Sequence, residues 1–72
     1  MNKSILSQLS ILSDRTRVRL LRVLNSEECS VTELMSILEI PQSTVSRHLK
    51  ILMEHQWISR REDGNSNWYR CA

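Results

Sequence analysis

Between residues 42 and 50 the chain carries Gln42, Ser43, Thr44, Ser46, Arg47, His48 and Lys50, with no carboxylate among them. Hydroxyls, an amide and cations at this density can donate hydrogen bonds to, and neutralise, an anionic surface. Placed on a helix at about 100° per residue, Ser43, Arg47 and Lys50 gather on one side, with Ser46 and Thr44 flanking them. Val45, Leu49 and Leu52 fall on the opposite stripe and can anchor the helix to a core. Small residues at the helix start allow close approach to a groove floor. Arg47 is long enough to reach a guanine edge bidentately or to clamp a phosphate. Every surface helix has a solvated polar face, so this segment alone leaves that plainer reading open.

Other chemistries have little to work with. The chain holds no Ser-His-Asp pattern, no glycine-rich phosphate loop and no paired carboxylates in a pocket, so an enzyme is not expected. Cys29 and Cys71 are far apart and form no CxxC pair, which argues against a disulfide framework or a zinc module. His48 and His55 are seven residues apart, two turns along one helix, and no metal or cofactor is expected from them. No apolar run approaches the roughly 20 residues needed to span a bilayer. The N-terminus lacks the uninterrupted apolar core of a signal peptide, and a cytoplasmic protein is expected. With 72 residues, 40% of them hydrophobic, the chain reads as one small domain, residues 1–72, of modest core.

Charge is unevenly spread. Arg15, Arg17, Arg19 and Arg22 face only Asp14 in their stretch, whereas Glu27, Glu28, Glu33 and Glu39 follow without a cation. Arg47, Lys50, Arg60 and Arg61 then return against Glu54 alone. The second half therefore offers a basic surface suited to a polyanion, or else a set of intramolecular ion pairs.

The elements that must position these residues can be read from periodicity and caps. Ile5, Leu6, Leu9 and Leu12 are spaced for one face of a first helix over residues 4–12. A second helix is expected over 14–25, capped by Ser13 or Asp14, and its wide apolar arc (Val18, Leu20, Leu21, Val23, Leu24) suggests a central position. Ser30-Val31-Thr32-Glu33 fits a capping box opening a third helix, which carries Val31, Leu34, Ile37 and Leu38. That helix should end near Glu39, because Pro41 disfavours helical geometry at Ile40, and Pro41 then fits the first turn of a fourth helix. Two short helices around a tight turn make a helix-turn-helix. Residues 57–61 and 67–71 read as strands bracketing a turn over 62–66 that holds the only glycine. The expected fold is mainly α with a small β-hairpin, a winged helix-turn-helix of four helices followed by a two-stranded wing.

These residues resemble the ArsR-type (arsenic-repressor-like) winged-helix transcriptional regulators along almost the whole chain. Leu12-Ser13-Asp14-Arg15-Thr16-Arg17 looks like the family's opening Asp-Pro-Thr-Arg motif, with Arg15 in place of the usual Pro. The stretch from Gln42 to Leu52 is close to the family's recognition helix, and Trp57-Ile58, Arg60-Arg61-Glu62, Gly64 and Trp68-Tyr69-Arg70 follow its wing. The resemblance implies a homodimeric repressor of double-stranded DNA, its fourth helices in successive major grooves of an inverted repeat. By matching positions, Gln42, Ser43, Thr44, Ser46 and Arg47 are the expected base or near-phosphate contacts, and Lys50 a phosphate contact. Arg60 and Arg61 are the expected wing contacts. His48, at the margin of the apolar stripe, is included with a structural or phosphate role.

Two departures qualify the resemblance. Many metal-sensing members carry Cys-Val-Cys where this chain has Ser30-Val31-Thr32, and hydroxyls are poor ligands for soft metals. Members also usually continue into a C-terminal dimerisation helix, whereas this chain stops at Ala72. It then reads as a minimal protein, a fragment, or the N-terminal module of a longer chain. A rival function, a winged helix used for protein interaction or dimerisation, would rely on the first helix more than the fourth and would have no need of the cations.

Overall fold

The computed structural model describes residues 5–72. Four helices, α1 (Ile5–Ile11), α2 (Arg15–Ser26), α3 (Val31–Leu38) and α4 (Gln42–Glu54), precede an antiparallel hairpin of β1 (Ile58–Asp63) and β2 (Ser66–Cys71). This is the expected four-helix, two-stranded winged helix-turn-helix. The start of the first helix at Ser4 lies outside the described residues.

Helix boundaries follow from local hydrogen bonding. Asp14 is the N-cap of α2; its Oδ1 accepts from the N–H groups of Thr16 (2.8 Å) and Arg17 (3.2 Å), which have no partner within the helix. The capping box of α3 is complete. The Glu33 N–H donates to Ser30 Oγ (3.2 Å), and the Ser30 N–H donates to Glu33 Oε1 (3.1 Å). Glu39 ends α3 in the left-handed region (φ 56°), and this reversal aims the chain into α4. Pro41 sits one position earlier than expected. It is the N-cap rather than the first helical residue, at ψ 160°, and its carbonyl accepts from Thr44 and Val45 at 3.1 Å each.

The hairpin is longer and its turn tighter than the sequence suggested. Pairing runs from Ile58 opposite Cys71 to Asp63 opposite Ser66, leaving Gly64 and Asn65 at the tip. Gly64 takes φ 64°, as a two-residue hairpin turn requires. On the other edge of β2, Cys29 and Tyr69 exchange both backbone hydrogen bonds (3.0 and 2.8 Å), so the segment after α2 adds a third position to the sheet.

Leu20, Leu34, Val45 and Leu52 are completely enclosed, in one core with Ile11, Leu24, Cys29, Leu38, Leu49, Ile58 and Tyr69. Helix α2 packs against α3, α4 and β2, which is the central position its wide apolar arc predicted. The first helix turns its apolar face outward. Its stripe of Ile5, Leu6, Leu9 and Leu12 faces solvent, Ile5 and Leu6 at 71% and 75% exposure, and the residue it buries is Ile11. Only the final turn of α1 meets the core, and Ile11 lies on the side away from the stripe. Ile37 of α3 is also exposed. Among the described residues no helix is long and apolar enough to cross a membrane.

Loss of the α3 cap offers a direct check of this framework. Ser30→Ala should lower stability by about 1 kcal/mol, read as a lower urea midpoint at unchanged denaturant slope.

Candidate nucleic-acid interface

The helical periodicity of α4 sorts its side chains sharply. Val45, Leu49 and Leu52 are buried in the core, while Gln42, Ser43, Ser46, Arg47 and Lys50 are exposed and Thr44 is half-buried. Among the described residues Arg47 and Lys50 form no ion pair with the chain's own carboxylates. A row of small hydroxyls and two unneutralised cations therefore stands away from the core on a helix whose opposite side is locked in place.

His48 does not belong to that row. Its side chain is 5% exposed and its Nδ1 has no hydrogen-bond partner among the described residues, so of the structural and phosphate roles open to it the geometry favours the structural one. The physical reason is angular. His48 lies within the arc spanned by the buried residues of α4, beside Val45 and Leu52 rather than beside Ser43. Burial holds its imidazole below the ordinary range; the Asp14 carboxylate opposes this, and the charges of Arg17 and Arg47 reinforce it. The ring is thus an uncharged packing group joining α4 to the start of α2. Asp14 itself is pushed up by burial, but the Arg17 N–H, His48 and the Thr16 N–H outweigh that and leave its carboxyl below the usual value.

The two wing arginines part company. Side chains alternate along β1, so Arg60 shares a face with the buried Ile58 and lies opposite the buried Tyr69, whereas Arg61 points to the other face. Arg60 lines a depression of about 270 Å³ with Ser46, Leu49, Lys50, Met53, Glu54 and Tyr69, in the angle between α4 and the wing. Its guanidinium is 3.7 Å from Glu62. Arg61 instead donates two hydrogen bonds to Glu28, Nε to Oε2 at 3.0 Å and Nη2 to Oε1 at 2.8 Å, and lies 3.6 Å from Asp63. Those bonds from Arg61 hold the Glu28 carboxyl below its usual range against a smaller opposing effect of desolvation. Both sequence alternatives for the basic second half are therefore realised at once, with free cations on α4 and paired ones on the wing.

Further contacts had no signal in the sequence. The Trp57 indole N–H donates to Gln8 Oε1 at 2.9 Å, joining the base of the wing to α1. Arg17 folds back to the Ile11 carbonyl (3.0 Å), and Arg19 reaches the Leu38 carbonyl at the end of α3 (3.4 Å). Pairings across 49 and 19 residues depend on tertiary placement, which no local pattern encodes. Burial raises both thiols above the usual range, Cys29 also through Glu27 and Glu33. Among the described residues no three His, Cys, Asp or Glu side chains come together as a metal-binding group.

Comparison with known proteins agrees with this geometry. Residues 14–56 match the family model described as bacterial regulatory protein, arsR family. The chain is 34% identical to an arsenical resistance operon repressor of Staphylococcus aureus, over 94% of this chain and 65% of that protein. It therefore spans just under two thirds of the length of that relative. Among solved structures, HlyU from Vibrio cholerae superposes with a TM-score of 0.86 at 31% identity, covering 90% of this chain and 71% of that one. The transcriptional repressor BigR from Xylella fastidiosa gives 0.84 at 33% identity, covering 89% and 65%.

The buried imidazole makes stability depend on pH in a defined sense. The unfolded chain takes up the His48 proton more readily than the folded one. The contribution of neutral His48 is therefore complete above about pH 6.5 and is lost as pH falls below that value. His48→Leu should flatten the fall in melting temperature between about pH 6.5 and 5, measured by circular dichroism in parallel with the parent.

Proposed function

From the premise that this chain belongs to the arsR family of bacterial regulatory proteins, we propose that it is a winged-helix DNA-binding module that represses transcription. The observation that carries this reading is the exposed, unpaired face of α4, where Gln42, Ser43, Ser46, Arg47 and Lys50 stand opposite a fully buried stripe. A helix held by its back and presenting short polar groups and Arg47 can enter the major groove of B-DNA. Gln42, Ser43, Thr44, Ser46 and Arg47 then lie at base edges or adjacent phosphates. Lys50 and Arg60, which line one depression, sit against the flanking backbone and supply affinity rather than sequence choice.

Two copies reading an inverted repeat complete the proposal. The solvent-facing stripe of Ile5, Leu6 and Leu9 on α1, continued by Leu12 just after it, supports a homodimer, since an apolar face of this kind is stabilised by covering it. In this reading residues 1–72 act as one domain, and the symmetry of the dimer sets the spacing of the half-sites at about one helical turn of DNA.

Selection of bound duplexes from a random pool, at about 0.15 M salt to suppress purely electrostatic attachment, should enrich an inverted repeat. No enriched sequence would transfer the reading to a protein-interaction module. On the selected duplex, Arg47→Ala should cost roughly 1–3 kcal/mol and relax the preference at one base position. Lys50→Ala should weaken specific and random duplexes alike and lower the salt slope by about 0.9. Equal losses for Arg47→Ala on both duplexes would remove its base-reading role.

A further inference from the structure

We infer that Glu28 is a positioning residue for the wing: it holds Arg61 on the face turned away from α4, leaving Arg60 as the wing cation directed to nucleic acid. The inference rests on the DNA-binding reading above and assigns to a carboxylate outside the reading helix a part in it.

The argument starts from strand register. Cys29 is hydrogen-bonded to Tyr69 on one edge of β2, and β1 lies along the other edge, with Arg60 opposite Tyr69. Glu28 therefore sits beside β2, and its carboxylate must cross that strand to reach Arg61 on β1. The guanidinium meets both carboxylate oxygens, at 3.0 and 2.8 Å, in the forked geometry that gives arginine pairs their directionality. A two-stranded hairpin is marginal by itself, and among the described residues no further strand pairs with the far edge of β1. The Glu28–Arg61 pair fastens that outer strand to the segment after α2, which the Cys29–Tyr69 bridge already fixes to β2.

Alternation along β1 then decides what each arginine can face. With Arg61 drawn to Glu28, Arg60 is directed into the depression shared with Ser46 and Lys50. Asp63, 3.6 Å from Arg61, adds a second anion on the Glu28 side. Arg61 is thus paired with two carboxylates, at 2.8 and 3.6 Å, whereas Arg60 has a single looser contact, with Glu62 at 3.7 Å, and is the less committed of the two.

The test combines a readout that needs no DNA with one that does. In Glu28→Gln, β1 amides should exchange with solvent about three- to tenfold faster than in the parent, while α2 and α4 amides stay as they were. The charge-reversed pair, Glu28→Arg with Arg61→Glu, should restore protection. In titrations on the selected duplex, Arg61→Gln should leave the salt slope unchanged and Arg60→Gln should lower it by about 0.9. The reversed pair should keep the parental slope. Unchanged β1 exchange in Glu28→Gln would overturn the brace. A slope lowered by about 0.9 in Arg61→Gln or in the reversed pair would make Arg61 a phosphate contact and overturn the assignment. A parent protein that selects no duplex but whose β1 loosens in Glu28→Gln would fail the DNA reading, and would reduce Glu28 to a structural brace.

Discussion

One-sided burial of α4 governs the rest of the molecule. Val45, Leu49 and Leu52 are enclosed in the same core as Leu20 of α2 and Leu34 of α3, and neither Val45 nor Leu52 retains any exposure. A helix anchored along one stripe can neither roll nor slide without opening cavities, which dense packing penalises. The direction in which Ser43, Arg47 and Lys50 point is therefore set by apolar contacts on the far side of the helix. The capped ends of α2 and α3 and the left-handed turn at Glu39 deliver the chain to that anchoring geometry.

This dependence explains which parts of the structure were legible in the sequence. The capping box at Ser30, the break before Pro41 and the buried stripe of α4 are written in residues a few positions apart, and each appears where those residues placed it, Pro41 shifted by one. Strand alternation in the hairpin was legible, but its turn was drawn too wide, because Glu62, Asp63 and Ser66 look like loop residues until register pairs them. Helix α1 shows the limit most clearly. Periodicity correctly identified an apolar face, yet it cannot say whether that face meets this core or another surface, and here it points outward.

Of the candidate site, the composition of the α4 surface could be read in advance, but its electrostatics could not. Sequence counting treated Arg60 and Arg61 as equivalent neighbours, whereas a strand separates them onto opposite faces and only one reaches Glu28. His48, which the sequence placed at the margin of the apolar stripe with a structural or phosphate role, is enclosed. Its angular position was available from the sequence; the readiness of the core to accept an uncharged imidazole was not. Formal charge thus overstated the cations available to a partner, and the arrangement of pairs, more than the net value of +2, defines the basic surface.

Trp57 occupies a junction with optical meaning. Its backbone N–H binds the Leu52 carbonyl near the end of α4, its carbonyl accepts from Ala72 beyond β2, and its indole N–H is held by Gln8 of α1. The half-buried ring also lines a depression with Leu12, Val18, Leu21 and Cys71. One chromophore therefore senses the outer helix, the reading helix and the wing together, with Gln8 as the acceptor for its polar hydrogen. The colour of its emission becomes a built-in gauge of whether α1 is seated against the body of the protein. The other indole, Trp68, lies out on β2 of the wing and adds its own overlapping emission, so the gauge is read in a chain where Trp68 is replaced by phenylalanine.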